Sequence, residues 1–92
     1  MQNNEAINKA SSFPLLFGKE GMSYQIDKIE FEGQVANRLK SLGFVKNAII
    51  HIFAIHKQGI IVKVLESKYA LGFDVAKKIH VKEYKKEEIE TL

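Results

Sequence analysis

Three histidines, two neighbouring carboxylates, one arginine and one glycine-flanked lysine are the residues here with chemistry to offer. His51 and His56 stand five residues apart, an odd number, so a straight strand sends them to opposite faces and away from a shared metal. His80 is remote from both, and no cysteine or His-x-x-Glu spacing accompanies any of the three. Solvent-facing histidines are the expectation, with no metal site and no cofactor. Glu30 and Glu32 share a face if a strand reaches them, but no histidine sits nearby for acid–base work. Ser11, Ser12, Ser23, Ser41 and Ser67 occupy no nucleophile motif. Gly18-Lys19-Glu20-Gly21 resembles half a phosphate loop, yet the Gly-Lys-Ser/Thr that should open a helix is missing, so it reads as a turn. No catalytic residues are expected, and the chain reads as a non-enzyme.

Arg38 is the only arginine, with Lys40 two residues on. One reading makes them charged contacts to a partner. The plainer reading of Arg38 packs its stem over the core and turns its head to a loop carbonyl. No tryptophan is present, and Tyr24, Tyr69 and Tyr84 are scattered, which argues against a proline-motif groove and for aromatics that fill the core or its edges.

The stretch around Arg38, Phe31 to Ala48, organises the chain. Val35, Leu39 and Leu42 fall at i, i+4 and i+7 and predict one buried helical face. Glu32 and Lys40 suit the two ends of the helix dipole. Gly43 sits where a helix stop calls for a left-handed residue. Everything nearby reads as strand, so the helix is expected to lie as a lid on a small β core. Before it, Phe13 to Phe17 is tied to the core, with Pro14 favouring an extended entry. Gly18 and Gly21 bracket a turn. Met22 to Ile29 then alternates, with Met22, Tyr24 and Ile26 on one side and a change of face near Ile29.

Ala48 to Ile55 is rich in β-branched residues and predicts a strand. Ile50, Ile52 and Ala54 form one stripe, Ile49, Phe53 and Ile55 a second that needs a cover. The sequence does not say what covers it. His56 to Gly59 reads as a hairpin whose late glycine suits a left-handed bulge. Ile60 to Leu65 returns, Glu66-Ser67-Lys68 turns into Tyr69-Ala70-Leu71, Asp74 caps a helical turn, and Ile79 to Val81 closes. About five short strands and one inserted helix predict a mainly β domain, a small barrel over residues 13–82. Residues 1–12 are expected to be a flexible arm and 83–92 a charged tail.

Ninety-two residues suffice for a single core, with 46% hydrophobic residues and a net charge of +3. Absence of cysteine fits a reducing compartment. The longest apolar run is far short of the ~20 residues of a spanning helix. The first residues lack a signal-peptide pattern, so a cytoplasmic location is expected with no transmembrane segment. A Lys-rich surface attracts anions non-specifically, but one arginine offers little for base reading, so no specific nucleic acid is expected.

In this order the pieces resemble the ferrous iron transport protein A family (FeoA), a small SH3-like barrel. The same domain type is similar to the C-terminal domain of iron-dependent repressors. The residues that carry the resemblance are Gly21, Arg38-Leu39, Leu42-Gly43, Gly59, Leu71, Ala76, Ile79 and Val81. Where the family has a proline and a second glycine beyond Gly43, this chain has Lys46 and Asn47, and asparagine is the next best residue for a left-handed turn. Ile61 stands near a common proline of the family, and Gly72 and Phe73 near its basic residues after Leu71. The resemblance implies a non-enzymatic accessory role in ferrous iron uptake, with the FeoB-type permease as partner; the candidate contacts to it are Arg38 and Lys40, and Gly21, Gly43, Asn47 and Gly59 are expected as structural turns. It attaches transition-metal binding only to the family as a whole. The alternative it leaves is a regulatory or oligomerisation module that self-associates.

Overall fold

The computed structural model describes residues 11–84. Most of the expected N-terminal arm and of the charged tail lies outside the described residues. Phe13–Pro14 forms the two-residue strand β1, paired to the last strand at Val81 and His80. A single 3-10 turn, Leu15–Phe17, follows and buries Leu15 completely. Strand β2 is Ser23–Ile29, helix α1 Gly33–Ser41, and β3, β4 and β5 are Ile49–His56, Gly59–Val64 and Ser67–Gly72. One short turn of helix, α2 (Phe73–Ala76), leads into β6, Ile79–Glu83. All pairings are antiparallel, in the order β1-β6-β2-β3-β4-β5, so one coiled sheet makes the small barrel. The sixth strand beyond the expected five is β1.

Inward residues alternate along β2 to β6 except at two register shifts. Tyr24, Ile26, Ile50, Ile52, Ile60, Val62, Val64, Leu71, Ile79 and Val81 share one core with Leu15, Leu39 and Phe44. Helix α1 ends as its sequence asks. Gly43 adopts φ 106°, the Gly43 N–H donates to Lys40 O at 3.0 Å, and the Phe44 N–H donates to Leu39 O at 3.0 Å. That paired closure drives Phe44 into the core, where it is fully buried.

Phe44 also resets the helix face. The buried helical residues are Ala36 and Leu39, whereas Val35 is 48% exposed and Leu42 half-buried. The stripe therefore sits one residue round from the expected one, because a nine-residue helix anchored at its end by Phe44 turns its Ala36–Leu39 face inward. Met22 likewise lies outside the strand and is 50% exposed. The register of β2 against β6 shifts between Ile26 and Lys28, slightly earlier than the expected site near Ile29.

Four further expectations are corrected. A second register shift, between Ile52 and Ala54, breaks the alternation of β3, so Ala54 pairs with outward Ile61 and Ile55 with buried Ile60. One extra residue exchanges the faces of everything beyond it. Gly59 has no positive φ and makes no left-handed bulge; a Cβ there would meet the Leu71 carbonyl, so the glycine is needed for close strand approach. The following turn is Leu65–Glu66, with Val64 paired to Ser67 and Leu65 at φ 57°. Finally, Gly72 occupies the N-cap of α2 without a side-chain bond, and Asp74 lies in the first turn.

Candidate functional site

Helix α1 is held through Ala36, Leu39 and Phe44, which leaves the residues on either side of Leu39 in its last turn facing water. Arg38 and Lys40 both project from that turn and are exposed. Neither side chain enters a hydrogen bond or ion pair among the described residues, so Arg38 does not cap a loop carbonyl. The turn abuts the β4–β5 connection: a Cβ on Gly43 would lie 2.9 Å from Leu65 Cδ1 and 3.1 Å from Val64 Cγ1. Around this end stand Val45, 42% exposed, and Leu65, 72% exposed. Two free cations and two open apolar side chains thus share one end of the barrel.

Of the four residues expected at structural turns, Gly21, Gly43 and Asn47 have positive φ and Gly59 does not. Gly21 has φ 87°, and its N–H donates to Ile52 O at 2.7 Å. Asn47 has φ 74°; its N–H donates to Ile26 O at 2.7 Å while Gln25 Nε2 donates to its carbonyl at 3.2 Å. Between Gly18 and Gly21, the Lys19 N–H donates to the Tyr24 hydroxyl at 2.8 Å, a turn held by the core rather than an open phosphate cradle.

The histidines are not the uniform solvent-facing set expected. His51 is half-buried, its Nδ1 2.8 Å from Ser23 Oγ. His56 is exposed at the hairpin. The shift at Phe53 returns both to the outer face, but five residues of strand still hold them roughly 16 Å apart. His80 is largely covered, with its side chain 17% exposed and Nε2 3.1 Å from Glu30 Oε2, close enough for an ion pair although not aligned as a hydrogen bond. No cluster of three metal-ligating residues occurs among the described residues. Strand β2 stops at Ile29, so Glu30 and Glu32 do not align as a strand pair. They line an open depression of about 520 Å³ with Ile29, Phe31 and Lys78.

The tyrosines behave as fillers, not as a groove. Tyr24 is buried and meets Phe13 edge-on at 5.5 Å, and Tyr69 stacks obliquely on Phe44 at 5.4 Å. Phe53 differs: it is half exposed, on the outer face of the sheet, with Lys68 Nζ 3.6 Å above its ring centre. Sequence reasoning missed the partner of Phe53, since Lys68 lies two strands away and only register brings it there. No helix among the described residues is long and apolar enough to cross a membrane.

A small β barrel, one helix closed by Gly43 and left-handed turns at Gly21 and Asn47 are the frame on which comparison decides. Residues 13–83 match the FeoA domain family. The chain belongs to that family. The FeoA-domain frame superposes on an iron uptake regulatory protein, FeoA, with TM-score 0.68 and 25% identity, covering 78% of this chain and 96% of that one. It superposes on the zinc-complexed FeoA of Stenotrophomonas maltophilia, a prokaryotic SH3 domain protein, with TM-score 0.66 and 24% identity, over 74% of this chain and 87% of the other. A manganese-dependent transcriptional repressor gives TM-score 0.71 at 18% identity, over 79% of this chain but 42% of its own, a likeness of fold alone. Among curated proteins the sequence finds no match. The SH3-like barrel implied by the sequence is the fold of this FeoA domain.

Proposed function

We propose that this chain is a non-enzymatic accessory protein of ferrous iron uptake, working on the cytoplasmic side as a protein-interaction module on a FeoB-type permease. The observation that carries the reading is the FeoA match over residues 13–83, which takes in every strand and the helix. Arg38 and Lys40 are assigned to the contact, because both are unpaired among the described residues and lie at the end of the helix whose closing Gly43 abuts exposed Leu65. Such a rim of charge around apolar side chains is how protein interfaces are commonly built. No cofactor takes part in this role.

Capture of tagged protein from detergent-solubilised native cells, at moderate salt, tests it. Recovery of a permease carrying a G-domain is the expected result, weakened by Arg38→Ala with Lys40→Ala. The likeness to repressors supplies the rival, a regulatory module that self-associates. Recovery of only the chain itself, or of a soluble DNA-binding regulator, would replace the transport reading with that one.

A further inference from the structure

The outer face of the sheet carries a row of side chains that the core leaves unused. Register places Ser23 opposite His51, His51 opposite Lys63, and Lys63 opposite Lys68, across four adjacent strands. Two lysines directly opposed on one face repel each other, so the fold itself gains nothing from the pair. Neither lysine meets a carboxylate among the described residues. Glu66 in the neighbouring turn pairs with neither, and Asp27, farther along β2, lies 4.0 Å from Lys46. His51 is oriented by Ser23 at 2.8 Å, and Phe53 offers a half-exposed ring with Lys68 Nζ held over it.

We propose that this face docks an acidic segment of a partner protein, whose carboxylates meet Lys63 and Lys68 while one apolar side chain packs on Phe53. The inference rests on reading the chain as a protein-interaction module and names the chemistry that the module takes. Complementary charge is the argument for the occupant: two opposed lysines with no carboxylate partner among the described residues, one of them held over a half-exposed ring, call for carboxylates around an apolar side chain. A nucleic-acid strand fits less well. Strand-binding surfaces stack successive bases on several aromatics, and this face has Phe53 alone and no arginine.

The test titrates the whole chain with a short fluorescein-labelled peptide, a leucine flanked by glutamates, while backbone amide signals are followed by NMR. Shifts are expected at His51, Phe53, Lys63 and Lys68. Lys63→Glu with Lys68→Glu should weaken binding by about tenfold or more, and Lys77→Glu, a charge reversal on an exposed residue elsewhere, should not. Lys63→Glu alone removes the repulsion, so its melting temperature should hold or rise while peptide affinity falls. That combination separates lost docking from lost folding. No binding, shifts elsewhere, equal loss with Lys77→Glu, or tighter binding of oligothymidylate than of the peptide would each overturn the proposal. If the permease is captured and the peptide fails, this face is wrong and the module reading stands. If the peptide binds here and no permease is captured, the face stands and the iron-uptake reading falls.

Discussion

Asn47 and Leu65 are the two non-glycine residues held at positive φ among those described, and they stand there for different reasons. Asn47 spends its backbone on the link between β2 and β3, bonding through both its N–H and its carbonyl. Glycine keeps both bonds, so Asn47→Gly should be neutral or slightly stabilising in denaturant unfolding. Clear destabilisation would show that the asparagine side chain holds the turn. Leu65 has no such claim. It is 72% exposed, and a left-handed leucine costs roughly 1–2 kcal/mol. Leu65→Asn should therefore raise stability by up to about 1 kcal/mol, since asparagine tolerates that region. If Leu65 serves the partner contact, the same variant should weaken permease capture. Asn47 was legible in the sequence because asparagine is a known substitute for glycine there. Leu65 was not, since nothing in a leucine announces a left-handed backbone.

Helix α1 shows what patterning can and cannot decide at the scale of an element. Its existence, its stop at Gly43 and the burial of Leu39 were all readable. Its rotation was not, because Phe44, beyond the helix, chooses which side turns inward. Leu39→Ala should cost about 2–5 kcal/mol in thermal or chemical unfolding, as for a leucine lost from a packed core. A cost under about 0.5 kcal/mol would place the helix on the surface and undo the account of the fold. The β3–β4–β5 hairpins teach the same lesson. Strand limits could be read closely, but the bulge at Phe53 has no sequence mark, and it moved Ala54 and Ile55 to the faces opposite those expected. Gly59 was noticed for the wrong reason. Its lack of a side chain lets β4 approach β5, so Gly59→Ala should destabilise by roughly 1–3 kcal/mol as the strands part. A harmless substitution would mean that the sheet yields easily at this point.

For the whole molecule, the sheet order turns scattered lysines into a surface. In the sequence Lys63 and Lys68 are two members of a Lys-rich chain, and a solvated exterior was the plainer reading of them. Folding sets them side by side, next to His51 and Phe53, and neither forms an ion pair among the described residues. Arg38 and Lys40 stand exposed at the end of helix α1, whose closing Gly43 abuts Leu65 in the turn of the same β4–β5 hairpin. Family membership makes neither surface a binding site, but an SH3-like barrel of the FeoA family with two such surfaces suits a module that works by touching other proteins. The most direct measurement of that claim is binding of the purified chain to a purified FeoB-type permease in detergent, followed by calorimetry at low and moderate salt. The account predicts saturable binding at a fixed stoichiometry that survives moderate salt and weakens when Arg38 and Lys40 are replaced by alanine. Absence of binding at both salt concentrations, with a chain that is folded and self-associated, would contradict it.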